Sequence, residues 1–250
     1  MLLIDPPAWP AYGRLWSHLV SDTSIEELHD FAARAGIPRR GFEGDHYDVP
    51  EERYAAVVAA GAEPIAGREL LKRLRDSGLR IPKRKHERVV VSTREPAWLP
   101  SGSRADVIAS RQDSAPPMTV LVRVAVHGVD GLLVVPRPDG DGVDLPSRTL
   151  AAGEAPEDAV DALLNELGMP SAPHSVLGYV RNVVRQPDAH YPWPVPFACF
   201  TVYAVRAPES APVTGEWCPA PEQQERLAMR HWWPLMSHLG DSGSAAGLHH

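Results

Sequence analysis

The chain has 250 residues, of which 44% are hydrophobic and 23% charged, and its net charge is −7. That length allows one large domain or two ordinary ones, and the composition is that of a globular protein with a real core. It contains no apolar run of about eighteen residues, the minimum for a membrane-spanning helix.

The opening MLLIDPPAWP has neither the basic leader nor the long apolar stretch of a secretory signal. Cys199 and Cys218 are the only cysteines and form no CxxC pair, which argues against a zinc ribbon or a redox motif. A reducing cytoplasm is the expected location. Residues 1–86 carry 13 Lys/Arg and 13 Asp/Glu, so the whole negative excess lies in the remainder.

In chain order, MLLID predicts a short buried strand. SDTSIEELHDFAARAGI predicts a helix with a capping box at Thr23/Glu26 or Ser24/Glu27, and Gly36 is placed to end it. GDHYDVP reads as a short strand or turn, and Pro50 starts a second helix that closes at Gly61. In a third, GRELLKRLRDSGL, Leu70, Leu71 and Leu74 turn inward and the basic residues outward. These elements make a small α/β domain over residues 1–85. Residues 86–117 read as a linker with an added strand, ERVVVST, because Arg94 to Met118 is rich in Pro, Ser and Ala without a sustained apolar period.

Beyond it, TVLVRVAVHG and GLLVVPRPDG predict a hairpin turning at His127 to Gly131. A helix follows within DLPSRTLAAGEAPEDAVDALLNELGM, where Val160, Leu163, Leu164 and Leu167 form the buried stripe. SVLGYVRNVV and VPFACFTVYAVR are β-rich, and RHWWPLMSHL predicts a strand running into a helical turn. The order predicts an α+β domain with a mixed sheet over residues 118–240, with 241–250 as a disordered tail.

The run GLLVVPRPDGDGVDLPSRTLAAGEAPEDAVDALLNELGM, together with HWWPLMSHL, resembles the Nudix hydrolase family over roughly residues 116–240. The resemblance implies an α/β/α sandwich and a loop–helix–loop box, G-x5-E-x7-R-E-U-x-E-E-x-G-U. In that family the box glutamates hold divalent cations, Mg or Mn, that activate water against nucleoside diphosphate derivatives.

Glu154 stands at the first box glutamate, Glu166 at the last, and Gly168-Met169 at the closing pair, while Arg148 replaces the opening glycine. The segment is one residue short, so either Asp161-Ala162 or Ala162-Leu163 replaces the Arg-Glu pair. A single Glu166 beside the neutral Asn165 offers a cation about half the charge of the family's terminal glutamate pair. Two readings follow: a pseudoenzyme that binds a nucleotide-like ligand, or an active pyrophosphohydrolase using Glu154, Glu166 and Asp161. Arg148, Tyr179, Arg181, Asn182 and Trp193 are the candidate ligand contacts, because arginine clamps phosphate and aromatic rings stack on bases.

GRLWSHLVSDT, ELHDFA and GDHYD resemble an uncharacterised family, domain of unknown function 4031, over about residues 1–80. Asp5, His18, His29, His46 and Asp48 are its candidate metal ligands, since imidazole and carboxylate together suit Zn²⁺, Mn²⁺ or Fe²⁺. Side-chain alternation puts His46 and Asp48 on one side of an extended segment. A metal-dependent hydrolase or nuclease in this domain is the third reading. The alternative is structural, with His18 and His29 capping helices or satisfying buried backbone, and Asp48 capping the helix that starts at Pro50. The basic stretch Arg68 to Arg88 offers phosphate contacts to nucleic acid, or is a solvated face. Oligomeric state is not legible.

Overall fold

The computed structural model describes residues 1–208 and 214–236, so the expected tail lies outside the described residues. The chain divides into two compact units, Met1–Pro82 and Lys83–His250. Among the described residues no helix is long and apolar enough to cross a membrane.

The first unit runs β1 (Leu2–Ile4), β2 (Trp9–Ala11), β3 (Arg14–Ser21), α1 (Ile25–Arg34), β4 (Tyr47–Pro50), α2 (Glu51–Ala59), β5 (Glu63–Pro64) and α3 (Gly67–Asp76). β3 is the spine of its sheet: it pairs antiparallel with β1, β2 and β4, while β5 joins β1 in parallel. The sequence reading missed β2 and β3, because Ser17 and His18 interrupt the apolar pattern of GRLWSHLVS. α1 starts at Ser24, whose hydroxyl accepts from the Glu27 N–H at 3.0 Å, and Gly36 at φ 67° supplies the left-handed turn that ends it. Leu28, Phe31 and Ala32 pack on Ile4, Leu19, Tyr47 and Val49. Leu70 and Leu74 of α3 cover Leu3 and Val20 on the other sheet face.

The second unit runs β6 (Glu87–Arg94), β7 (Arg104–Ser110), β8 (Thr119–Gly128), β9 (Gly131–Pro136), β10 (Val143–Asp144), β11 (Ser147–Thr149), α4 (Pro156–Glu166), β12 (His174–Val183), β13 (Phe197–Arg206), β14 (Glu216–Cys218) and α5 (Ala220–Leu227). The sheet order is β10-β9-β8-β13-β12-β7-β6, with β11 on β8 and β14 on β9; among the described residues only β13 and β8 run parallel. The stretch read as a linker therefore contains β7, paired on both sides by β6 and β12. Its Ala105, Val107 and Ile108 are buried, an apolar strand hidden between Pro- and Ser-rich flanks.

RHWWPLMSHL is also corrected: its described part is a helical turn, and the last strand is β14, before α5. Trp232 fills the core there rather than extending a sheet.

α4 presents Ala159, Val160, Leu163 and Leu164 to Val122, Val124 and Val126 of β8 and to Tyr203 and Val205 of β13. Each such leucine contributes about 1.5–3 kcal/mol on burial. The alternate residues of β8 and β13, among them Ala125, Phe200 and Val202, face Leu227, Trp232 and Leu235 on the opposite side. Helical segments thus cover both faces of a mixed sheet, the α/β/α layering expected from the sequence.

Candidate metal centre and the altered box

Strand register builds the first site. His18 lies directly opposite Asp48 in the β3–β4 pair, and Asp5, at the end of β1, donates its backbone N–H to the His18 carbonyl at 3.2 Å. Asp5, His18 and Asp48 therefore form one row across three strands. His46, two residues before Asp48, falls on the same face by alternation. One ligand atom from each of His18, His46 and Asp48 lies within 4.8 Å of the other two.

The rings of His18 and His46 meet edge to face at 5.1 Å. Ligands about a tetrahedral ion at 2.0–2.2 Å are roughly 3.4 Å apart. The His46 Nε2 to Asp48 Oδ1 separation of 3.4 Å meets this.

A buried carboxylate orients each imidazole. Asp5 Oδ2 lies 3.0 Å from His18 Nδ1, and Asp45 Oδ1 lies 2.6 Å from His46 Nδ1. Both Nε2 atoms are turned away from these carboxylates, an arrangement that fixes tautomer and ring direction where such histidines bind a metal.

Asp5 also accepts from Trp9 Nε1 at 3.2 Å, and a Cβ on Gly67 would press to 3.3 Å from its Oδ2. Asp45 accepts from the Ile81 N–H at 2.8 Å and from Arg80 Nη1 at 3.0 Å. Burial pushes both carboxyls up, but the bonds from His18 and from His46 and Arg80 outweigh it, holding both below the usual carboxylate range. Burial by itself would lower the His46 pKa; its bonds to Asp45 and Asp48 instead raise it to about 9, so a cation bound there displaces a proton.

Four of the five metal candidates thus share one site, and the fifth does not. His29 Nδ1 bonds the Tyr47 hydroxyl at 2.8 Å and packs on Phe42 at 4.5 Å. Tyr47 lies between His46 and Asp48 on the strand, so it faces the opposite side and takes His29 with it. The capping alternative fails for His18, which sits within a strand, and for Asp48, because the N-cap of α2 is Pro50 and no side chain caps that helix. Asp45 was missed because alternation was applied only to His46 and Asp48; an acid directly before a histidine was the available signal.

The box is built differently. Arg148, on β11, places its guanidinium between the two surviving glutamates: Nη2 is 3.3 Å from Glu154 Oε1 and Nη1 is 3.1 Å from Glu166 Oε1. Glu154 Oε2 is taken by the Ala151 N–H at 2.6 Å. Asp161, with a 60% exposed side chain, lies 3.9 Å from His174 Nδ1. A side-chain cation thus stands between Glu154 and Glu166, the two glutamates the box retains, and this arrangement does not fit a divalent pair held between them.

Two of the five ligand candidates are core residues: the Tyr179 hydroxyl donates to Glu87 Oε2 at 2.9 Å, and Arg181 bonds Asp106 at 3.0 Å, all four residues being buried. A phosphate clamp needs an open fork, so neither is placed as one. Asn182 and Trp193 line a cavity of about 380 Å³. In the basic stretch, Arg73 pairs with Asp22 and Glu69, Arg80 with Asp45, and Arg84 with Glu87. Those charges are engaged within the fold.

The first unit is thus a small α/β fold with a His–Asp cluster, and the second is a mixed-sheet sandwich with an altered box. Residues 2–77 match the family described as "Protein of unknown function (DUF4031)", which bears out the resemblance seen in the N-terminal motifs. No curated protein matches the chain.

Among solved structures, 50% of this chain overlays 94% of the E. coli dihydroneopterin triphosphate pyrophosphohydrolase, at 12% identity and a TM-score of 0.36. Likewise 61% of it overlays 98% of a mutant Bacillus subtilis pyrophosphohydrolase, at 11% identity and a TM-score of 0.39.

Proposed function

We propose that the N-terminal unit is a mononuclear divalent-metal centre for hydrolytic chemistry, and that the C-terminal unit binds a nucleoside-diphosphate-type ligand without turning it over. The observation that carries the first part is the pair of buried Asp–His couples that converge on Asp48. His18 and His46 supply nitrogen through Nε2, and Asp48 supplies oxygen. Asp5 and Asp45 hold the rings and keep their Nδ1 protons in place. This donor set suits Zn²⁺, Mn²⁺ or Fe²⁺. His18, His46 and Asp48 would hold such an ion, which would supply an activated water for hydrolysis.

The test is metal stoichiometry of the full chain after chelation and reloading with Zn²⁺ or Co²⁺. One ion per chain is expected, lost in His18→Gln and in His46→Gln and retained in His29→Gln and Glu166→Gln. A wild-type chain that takes up no ion, or one whose ion survives His46→Gln, ends the proposal.

The second part is favoured by Arg148, whose guanidinium bridges Glu154 and Glu166. A panel of nucleoside diphosphate derivatives with Mg²⁺ or Mn²⁺ is expected to release no phosphate above the background of the Glu166→Gln variant. Turnover that vanishes in Glu166→Gln would make the box a catalyst.

A further inference from the structure

The ligand row of the N-terminal unit has a neighbour on the same sheet face. Trp16 precedes His18 by two residues on β3, so alternation turns both side chains the same way. In the strand register Trp16 lies opposite Trp9 of β2 on one side and Pro50 of β4 on the other. The row Trp9–Trp16–Pro50 therefore runs beside the row Asp5–His18–Asp48, about 6.5 Å away along the strand.

The two rows touch. The Trp9 ring meets His18 edge to face at 5.2 Å and His18 meets His46 at 5.1 Å, so three rings lead from the outer row into the ligand cluster. Trp9 is no stray surface ring: its Nε1–H donates to Asp5 Oδ2, the oxygen that also faces His18 Nδ1. Trp16 Nε1 donates to the Ala11 carbonyl at 3.0 Å. Tyr12 and Gly13, at φ 52° and 75°, close the β2–β3 hairpin in a tight turn that matches strand twist. Yet Trp9 stays 55% exposed, on a strand at the sheet edge. Rings held in place and open to solvent beside a ligand cluster make a preorganised wall for a flat group.

Charge adds a second constraint. An ion held by the cluster is positive. Arg14, two residues before Trp16 on the same face, lays its guanidinium 5.9 Å from the Trp16 ring centre. Its contact with Glu52 at 3.4 Å is an exposed pair of little strength. A flat ring on the tryptophans thus lies between two cations, a setting complementary to a ring that carries an anionic group.

We infer that the metal centre takes a nucleotide whose base is unpaired, with the base stacked on Trp9 beside Trp16 and the phosphate at His18, His46 and Asp48. A free nucleoside monophosphate and the end of a single strand share this chemistry, whereas a duplex keeps its bases stacked inside. The inference rests on the metal-centre reading and adds the substrate class to it.

The experiment follows the visible absorption of the full chain loaded with Co²⁺ while adenosine 5′-monophosphate, triadenylate, ribose 5-phosphate or adenosine is added. The signal arises only at the bound ion, so nucleotide held by the C-terminal unit does not contribute. Adenosine 5′-monophosphate is expected to shift the spectrum at a concentration at least about tenfold below ribose 5-phosphate, which lacks the ring, a factor within the range of one stacked base. Adenosine, which lacks the phosphate, should leave the spectrum unchanged. Trp9→Leu should erase the advantage of the base, and Trp9→Phe, which keeps a ring but not the N–H to Asp5, should retain most of it. Both variants should still bind Co²⁺. A response to triadenylate at lower concentration than to the monophosphate makes the strand end the source, and the reverse makes it the free nucleotide.

If Co²⁺ binds but the two phosphates act at equal concentration, or the advantage survives Trp9→Leu, this inference is overturned and the metal centre stands. If the chain takes up no Co²⁺, the metal-centre reading fails and the inference falls with it.

Discussion

Asp45→Asn tests whether the second carboxylate of the metal centre positions a ligand or only stabilises the fold. Asp45 is fully buried and receives His46 Nδ1 at 2.6 Å, the Ile81 N–H at 2.8 Å and Arg80 Nη1 at 3.0 Å. Asparagine keeps one oxygen for the Ile81 amide but loses the charge, and its NH₂ cannot accept from His46.

Breaking a buried ion pair costs roughly 3–5 kcal/mol. The Arg80 side chain is 32% exposed, so water recovers part of that, and about 2 kcal/mol of lost stability is expected. Metal affinity should fall about 10–100-fold, the usual effect of removing a carboxylate that orients a ligating imidazole. Urea denaturation of the metal-free chain reads the first quantity, and Co²⁺ titration followed by visible absorption reads the second. The exposed Asp30→Asn serves as control. If stability drops while Co²⁺ affinity stays within about twofold of wild type, Asp45 is structural only and the convergence argument is wrong.

Arg148→Ala separates the two box glutamates from their bridging cation. Both ion pairs are partly exposed, so the stability change should be under about 1 kcal/mol by chemical denaturation; a loss above about 3 kcal/mol would show the bridge to be core structure. His231 supplies a pH dependence. Its folded pKa is about 4 and its unfolded value near 6.5, so the unfolded chain binds a proton first as pH falls. The stability it protects is therefore complete above pH 6.5 and is lost between there and pH 4, amounting to about 2–3 kcal/mol. His231→Phe should remove that share of the difference between pH 7 and pH 4.5 urea midpoints, and identical slopes in both proteins would contradict it.

Gly178→Ala should cost about 1–3 kcal/mol in melting measurements, because its Cβ would clash with the Ile108 carbonyl oxygen and force β12 from β7. Burial raises the Cys199 thiol to about 12 and pushes Cys218 up as well. A thiol reagent at pH 8 should therefore find neither cysteine in the native chain and both in denaturant; fast native labelling would contradict the packing.

The elements that were legible in the sequence owe their shape to nearby residues. α4 announces itself by the spacing of Val160, Leu163, Leu164 and Leu167, and α1 by Ser24 before it and Gly36 after it. β3 and β7 were not legible. Ser17 and His18 interrupt the apolar pattern of β3, and Pro- and Ser-rich flanks hide β7; each is held as a strand by pairing on both edges, which a linear pattern does not record. His46 and Asp48 could be placed on one side by alternation alone. That His18 lies opposite Asp48, and that His29 is carried to the other face by Tyr47, are properties of register.

What the sequence determined by itself is therefore the inventory and the local geometry: the caps, the hairpin at His127 to Gly131, the α4 stripe, and a box short of its acids. Only the tertiary structure decided that Asp45 and Asp5 each hold a histidine, that Arg148 stands between Glu154 and Glu166, and that Tyr179 and Arg181 are spent in the core. The reason is physical. Periodicity and capping act over about four residues, whereas hydrogen bonds and ion pairs among buried groups depend on which distant segments the folded chain brings within about 3 Å.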